Sequence, residues 1–261
     1  MKKSSLISIA ALTAVAALTL SGCASNGTPG SDTNAAGKRA CVILPDTESS
    51  PRYESQDRPA LEAALTAAGF EADIQNAQGD TAKYATIGDQ MLSKGCGVMV
   101  LDDYQGAGVQ VAEKAAAQGI PVIAYDRPLE GANYYISFDN EYVGQLEGEC
   151  IVDGLKAAGK DPATASVVYV GGDPADGNAK MFYDGAVAAM SAAGIKPAAE
   201  TPGTWDGAKA GTAFEQAYTS LGGAVDAVWV ANDTNAAAVI NILDKNGKTV
   251  PVSGQDASVA G

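Results

Sequence analysis

Residues 120–129 read IPVIAYDRPL, an apolar run that ends in two adjacent opposite charges and a proline. A short run that is continuously apolar is typical of a strand covered on both faces, as in a parallel sheet. Asp126 and Arg127 then stand where this strand leaves its sheet. Pro128 keeps Arg127 extended and prevents a helix from starting there. The stretch therefore predicts a buried parallel strand whose carboxyl end carries charged groups.

The same unit recurs along the chain: an apolar run, an Ala-rich amphipathic segment closed by glycine, and the next apolar run. This order is typical of parallel α/β structure. Near 131–140 no helix separates two consecutive strands. We therefore predict two doubly wound α/β lobes, at 38–138 and 139–261. The predicted strands are 40–45, 71–76, 97–101, 121–125, 134–138, 166–170, 197–201, 226–231 and 250–253.

The last residues, SGQDASVAG at 253–261, stop where a further helix is expected. A two-lobe protein of this kind needs more strand and helix units to finish both lobes. We therefore expect a chain truncated at its C-terminus, with an incomplete second lobe.

The N-terminus has the pattern of a secreted lipoprotein. MKK is followed by a 15-residue apolar stretch and then by LSGC at 20–23, which is similar to a bacterial lipobox. Such a stretch is short for a membrane span and suits a signal peptide. We predict a signal peptide at 1–22, a lipid on Cys23, a flexible tether at 23–37, and anchoring outside the cytoplasm. The alternative is an ordinary signal peptide with a chance cysteine.

Composition excludes several function classes. The chain is 46% hydrophobic and 18% charged, which is typical of a globular protein. Its net charge of −14 disfavours nucleic acid as a partner. The sequence has no histidine, which excludes a Ser-His-Asp triad, a Cys-His pair and a His-ligated metal. We predict neither a metal nor a cofactor.

Three cysteines lie in the predicted globular part. Cys41 opens the first apolar run and Cys96 opens the third. If those runs are neighbouring parallel strands, both thiols lie at the same end of the sheet, and a disulfide is geometrically allowed. Cys150 is then either free or paired beyond residue 261.

Polar and aromatic residues follow nearly every predicted strand. Because ligands of open α/β sheets bind outside the carboxyl ends of the strands, these residues are candidates for a site. Asp206 and Asp233 also fit the simpler explanation of helix N-caps, but Arg52, Arg127 and Trp205 do not. Arginine donates, aspartate accepts, asparagine does both, and an aromatic ring stacks on apolar C–H groups. This mixture indicates an uncharged polyol as the ligand.

Five stretches resemble the sugar-binding lipoproteins of bacterial ABC importers, and most of all the D-xylose-binding branch of type I periplasmic binding proteins. They are YDRP (125–128), YYISFDNEYVG (134–144), GGDPADGNAKMFYDGA (171–186), ANDTNAAAVI (231–240) and SGQDASVAG (253–261). The resemblance implies two lobes that close on a monosaccharide, a xylose-type pentose or related aldose. It also implies delivery of the sugar to an ABC permease, a monomer and no catalysis. Family members are longer than this chain.

The resemblance also implies a ligand set. The family holds its sugar at the positions of Arg52, Asp126, Arg127, Asn178, Asn232 and Asp256. Tyr53 stands where the family often has tryptophan, Trp205 matches an aromatic position, and Asp176 and Lys180 fall in a matched loop.

Three other functions compete with a transport receptor. A secreted glycosidase would use two of the strand-end carboxylates, but the neighbouring Arg and Asn residues favour ionised acceptors. A sugar-responsive transcription regulator would need a basic helix-turn-helix where the signal peptide lies. Signalling to a chemoreceptor or sensor kinase is compatible with the same sequence.

Overall fold

The computed structural model describes residues 39–258, and these contain eight strands and seven α-helices. The predicted signal peptide, the tether and Cys23 lie outside the described residues. Within 39–258, no helix is both long enough and apolar enough to cross a membrane.

Five parallel strands form the first sheet: β1 (Arg39–Leu44), β2 (Glu71–Asn76), β3 (Val98–Leu101), β4 (Val122–Tyr125) and β5 (Tyr134–Ile136). Their order across the sheet is β2-β1-β3-β4-β5. The stretch IPVIAYDRPL thus contains β4, which pairs with β3 on one side and β5 on the other. The helices that follow β1, β2 and β3 are α1 (Arg58–Ala67), α2 (Thr81–Lys94) and α3 (Ala107–Ala117).

Three parallel strands form the second sheet: β6 (Val167–Val170), β7 (Pro197–Glu200) and β8 (Ala227–Val230), in the order β7-β6-β8. Its helices are α4 (Asn140–Ala157), α5 (Gly177–Ala192), α6 (Gly207–Ser220) and α7 (Asp233–Lys245). The lobe boundary predicted at 138/139 falls between β5 and α4. That division into lobes stays a prediction.

The strand predicted at 250–253 is wrong, because this segment makes only a single parallel bridge, between Val252 and Val228. Proline at 251 has no N–H to donate to a ladder. The Ser253 hydroxyl, instead of a backbone carbonyl, accepts the Val230 N–H at 2.7 Å. The ladder therefore does not extend.

Both sheets are covered by helices on their two faces, which explains the continuously apolar strands. In β1, every residue after Arg39 is buried. Side chains of one face pack with α2 and α3, and those of the other face pack with Leu61 and Leu65 of α1. A disulfide joins Cys41 of β1 to Cys96, just before β3, with the two Cα atoms 5.9 Å apart. Cys150 is exposed and free.

Helices α4 and α5 approach so closely that glycines are required between them. A Cβ atom at Gly144 would lie 2.1 Å from the Phe182 carbonyl oxygen, and one at Gly185 would lie 2.0 Å from the Glu141 carbonyl oxygen. Such distances leave no room for a methyl group. This contact positions α5, whose N-terminus carries part of the candidate site.

Gly144→Ala is expected to lower the free energy of unfolding by about 1–3 kcal/mol, the usual range for overpacking a tight contact. The direction is diagnostic, because Gly→Ala inside an unobstructed helix stabilises by up to about 1 kcal/mol. Urea unfolding of both proteins measures the difference. Glu149→Ala, at an exposed position of α4, is the control and should change stability by less than about 0.5 kcal/mol. A stabilised Gly144→Ala variant would contradict the close packing.

Candidate functional site

The carboxyl ends of the two sheets face each other across a small cavity of about 30 Å³. The loops after β1 and β4 line it from the first sheet, and the residues after β6, β7 and β8 line it from the second. Nine of the ten predicted ligand-binding residues are among its lining residues: Arg52, Tyr53, Asp126, Arg127, Asp176, Asn178, Trp205, Asn232 and Asp256.

Lys180 is the predicted residue that the structure does not bring to this cavity. Its side chain is 74% exposed and forms an ion pair with Asp184 on the surface of α5. The reason is helical geometry: residues two apart on an α-helix differ by about 200° in direction, so Asn178 and Lys180 point to opposite sides. The lining of this cavity therefore does not support the prediction that Lys180 contacts the ligand.

The bend at Asp126 allows two consecutive residues to reach the same cavity. Successive side chains of an extended strand point to opposite faces. Asp126 has φ +62°, in the left-handed region that residues other than glycine seldom adopt. The chain therefore turns as it leaves β4, and the side chains of both Asp126 and Arg127 line the cavity.

Asp126 is held by two donors from the segment after β1. Arg52 donates to it at 2.5 Å and to Asp57 at 2.5 Å. The Tyr53 hydroxyl donates to the other Asp126 oxygen at 3.0 Å. The Arg52 guanidinium also lies 4.7 Å above the centre of the Tyr53 ring, within cation–π range. These contacts order one wall of the cavity.

Arg127 connects the two sheets. Its side chain is buried, and its Nε lies 3.0 Å from a carboxylate oxygen of Asp176, which precedes α5. On its own side, it donates to the Asp103 carbonyl at 3.0 Å and to the Ser49 hydroxyl at 3.1 Å. The Trp205 indole N–H donates to Asp176 at 3.0 Å. Two of the predicted residues therefore position Asp176.

The remaining asparagines also bond directly across the interface. The Asn178 amide donates to the Asp126 carbonyl at 3.0 Å, and the Asn232 amide donates to the Ser49 carbonyl at 3.1 Å. Groups that we predicted to contact a ligand thus satisfy one another in this form. A larger polar cavity of about 370 Å³ adjoins the small one and shares Arg127, Asp176 and Trp205 with it.

The predicted ligand set lacks five of the lining residues: Ser49, Ser50, Phe138, Phe182 and Gln255. The rings of Phe138 and Phe182 are stacked, with centroids 6.3 Å apart and planes at 16°. Phe182 could have been found, because it follows Asn178 by four residues and so shares its helix face. Phe138 lies two residues after β5, and the predicted strand 134–138 included it, so it was not a strand-end candidate.

Burial dominates the electrostatics of the site. It raises the pKa of Asp256 to about 6, although the charge of Arg52 opposes this, with its Nε 3.8 Å away. Burial also raises the pKa of Asp176, against the opposing charge of Arg127. The carboxylates therefore depend on the two arginines to stay ionised. Within 39–258, no cluster of three Cys, Asp or Glu residues could hold a metal ion.

Asp256→Asn is expected to stabilise the protein at neutral pH and to have little effect at pH 4. A carboxyl group whose folded pKa is raised favours folding when protonated, and that contribution is lost as the pH rises through the folded pKa. A rise from 3.8 to about 6 corresponds to at most about 3 kcal/mol at neutral pH. Asparagine also tolerates the positive φ of this position, +96°.

Urea unfolding between pH 4 and 7.5 measures the effect. The difference between the variant and the unmodified protein should grow between about pH 4 and pH 6 and then stay level. A difference that is independent of pH would show that Asp256 is not responsible.

Two parallel α/β layers whose strand ends face each other across a polar cavity define a class: binding proteins that enclose a small ligand between two sheets. Residues 41–261 match the family described as periplasmic binding protein domain. The chain belongs to this family.

Curated relatives are similar over most of the chain. The D-xylose-binding periplasmic protein of Escherichia coli (strain K12) is 31% identical over 216 residues, which cover 79% of this chain and 63% of that protein. The multiple sugar-binding periplasmic protein SbpA of Azospirillum brasilense is 32% identical over 244 residues, covering 84% and 67%. The chain therefore spans 63% of the length of the E. coli relative.

A solved structure shares the fold. The ABC transporter solute binding protein from Clostridium phytofermentans, with bound beta-D-glucose, matches with a TM-score of 0.74 and 30% identity. The match covers 85% of this chain and 74% of that one. The α/β architecture with parallel sheets, predicted from the sequence, is confirmed.

Proposed function

We propose that this protein captures a monosaccharide between its two sheets and delivers it to an ABC permease, without catalysis. The observation that carries the proposal is the convergence of nine predicted residues on one cavity, eight of them following five different strands and Asp256 coming from the C-terminal segment. Charged donors, charged acceptors, amides and aromatic rings stand together there, which is the set that a neutral polyol requires.

Binding of a sugar in the small cavity requires the sheets to separate first. The cavity between them measures about 30 Å³, whereas sites for small molecules usually measure about 300–1,000 Å³. Sugar hydroxyls would then replace the bonds that now join Asn178 to Asp126 and Asn232 to Ser49. Closure on the sugar would be stabilised because only the closed form pairs hydroxyls with both sheets.

The preferred ligand is a xylose-type pentose or a related aldose. Two D-xylose-binding periplasmic proteins are 31% and 32% identical to this chain, and the Clostridium structure holds glucose. The rings of Tyr53, Phe138, Phe182 and Trp205 line the cavity and would pack against the apolar faces of a pyranose.

The protein would act outside the cytoplasm as a monomer. We propose that the lipid on Cys23 holds it at the membrane and that the segment 23–37 lets it reach its permease. Metabolic labelling with a fatty acid tests this directly: the unmodified protein should be labelled, and Cys23→Ser should not. Equal labelling of both would contradict the anchor.

A thermal-shift screen of pentoses and hexoses, followed by calorimetry, tests the ligand class on the protein at its full natural length. Stabilisation by at least one aldose, with one site per protein, is expected. If no monosaccharide stabilises the protein, the proposal fails. Release of sugar from glycosides during incubation would instead favour the glycosidase.

A further inference from the structure

Asp102, the first residue after β3, is a completely buried carboxylate that lacks ordinary partners. Neither of its side-chain oxygens accepts a hydrogen bond from residues 39–258. Its neighbour Asp103 differs, because it accepts the backbone N–H groups of Gly106 and Gly108, both at 2.7 Å. Buried carboxylates without partners are costly, so the position of Asp102 calls for a physical reason.

Among the described residues, one cation lies within 4 Å of Asp102: Arg127, whose Nε is 3.6 Å from an Asp102 oxygen. The same Nε lies 3.0 Å from Asp176. Yet it makes no well-directed hydrogen bond among residues 39–258. Arg127 Nε therefore stands between two carboxylates, one from each sheet.

Separation of the two sheets affects the two carboxylates differently, because it changes the distance from Arg127 to only one of them. Asp102 and Arg127 both follow strands of the first sheet, at the ends of neighbouring β3 and β4, so their spacing is kept when the sheets separate. Asp176 belongs to the second sheet and moves away. A shift of less than about 1 Å would bring the Arg127 Nε–H to the length of a charge-assisted hydrogen bond with Asp102.

We propose that Asp102 is a positioning residue that takes over the Arg127 Nε–H when the cleft opens and holds the guanidinium ready for the sugar. The inference rests on the proposed function. Burial and the charge of Asp126 raise the pKa of Asp102, and the charge of Arg127 opposes this. The pair therefore stabilises both partners in the open form, where Arg127 has lost Asp176.

Asp102→Asn tests the proposal, because it removes the charge and keeps the shape. We expect the affinity for the best aldose to fall about tenfold by calorimetry at pH 7, because Arg127 must be reordered on binding. The difference from the unmodified protein should shrink as the pH falls, since protonated aspartate resembles asparagine. A purely structural role of Asp102 would not make the affinities of the variant and the unmodified protein converge at low pH.

Glu147→Gln is the matched control. Glu147 is also buried, with one oxygen accepting the Trp229 N–H at 2.7 Å and the other without a partner among residues 39–258. It does not line the cavity, so its substitution should leave affinity unchanged. An equal loss in both variants would reveal a general effect of stability and overturn the proposal.

If Asp102→Asn folds poorly, Arg127→Lys replaces it, because lysine keeps the charge and lacks the Nε–H. With this variant, we expect the affinity for the best aldose to fall about tenfold. Unchanged affinity would overturn the role of the Nε–H. Unchanged affinity in Asp102→Asn overturns this inference alone. Failure of the unmodified protein to bind any monosaccharide overturns the proposed function, and this inference with it.

Discussion

Arg127→Ala is expected to lower the affinity for monosaccharide at least about 30-fold, which corresponds to about 2 kcal/mol, the scale for a lost charged hydrogen bond. It should also lower the free energy of unfolding by about 3–5 kcal/mol, as when one partner of a buried ion pair is removed. The cause is that Asp102 and Asp176 lose the cation lying 3.6 and 3.0 Å away.

The loss of stability should depend on pH in a defined direction. Without Arg127, which is the strongest influence opposing burial at both carboxyl groups, the pKa of Asp102 and of Asp176 rises further, so both are favoured as neutral acids in the folded protein. Such groups stabilise below the pKa of an unfolded Asp, about 3.9, and cost stability as the pH rises. Urea unfolding should therefore show that Arg127→Ala loses less free energy of unfolding at pH 4 than at pH 7.

Lys180→Ala is the control for this prediction. Arg127 and Lys180 were both predicted as ligand residues, but of these two only Arg127 lines the cavity. Calorimetry should find the affinity of Lys180→Ala within about twofold of the unmodified protein, since solvated side chains contribute little. Equal losses in the two variants would contradict the placement of the site.

Removal of the disulfide is the second large effect that we expect. Cys41 and Cys96 are 55 residues apart. Closing a loop of that length lowers the conformational entropy of the unfolded chain, which stabilises the folded protein by about 4 kcal/mol at 25 °C. Both side chains are buried, so the double Cys41→Ala, Cys96→Ala variant introduces no unpaired polar group. Urea unfolding should show a loss of about 2–5 kcal/mol.

Cys150→Ser provides the matched control, because Cys150 is exposed and unpaired. It should change the free energy of unfolding by less than about 0.5 kcal/mol. The reduced unmodified protein should resemble the double variant. If the double variant lost less than about 1 kcal/mol of unfolding free energy, this would show that the disulfide does not restrict the unfolded chain as expected.

Much of the site could be predicted from the rule that ligands of open α/β sheets bind at the carboxyl ends of the strands. Apolar runs marked the strands, and the residues directly after them were the candidates, so Asp126, Arg127 and Asn232 could be predicted without coordinates. The rule fails inside helices. Asn178 and Lys180 follow the same strand at nearly equal distance, yet the rotation along α5 separates them.

By itself, the sequence determined the alternation of strand and helix, because continuous apolar runs and glycine stops are local features. It also determined which residues stand at strand ends. Tertiary structure alone decided which groups from different strands meet. Examples are the cross-sheet contact of Arg127 with Asp176, the stacking of Phe138 on Phe182, and the burial of Asp102 without a hydrogen bond among residues 39–258.

The opening stretch shows the physical reason. Its alternation predicts that Asp126 and Arg127 point apart, but the φ of +62° at Asp126 turns both into one cavity. That conformation is held by Arg52, Tyr53 and Asn178, which come from distant parts of the chain. A backbone angle stabilised by remote partners leaves no local pattern in the sequence.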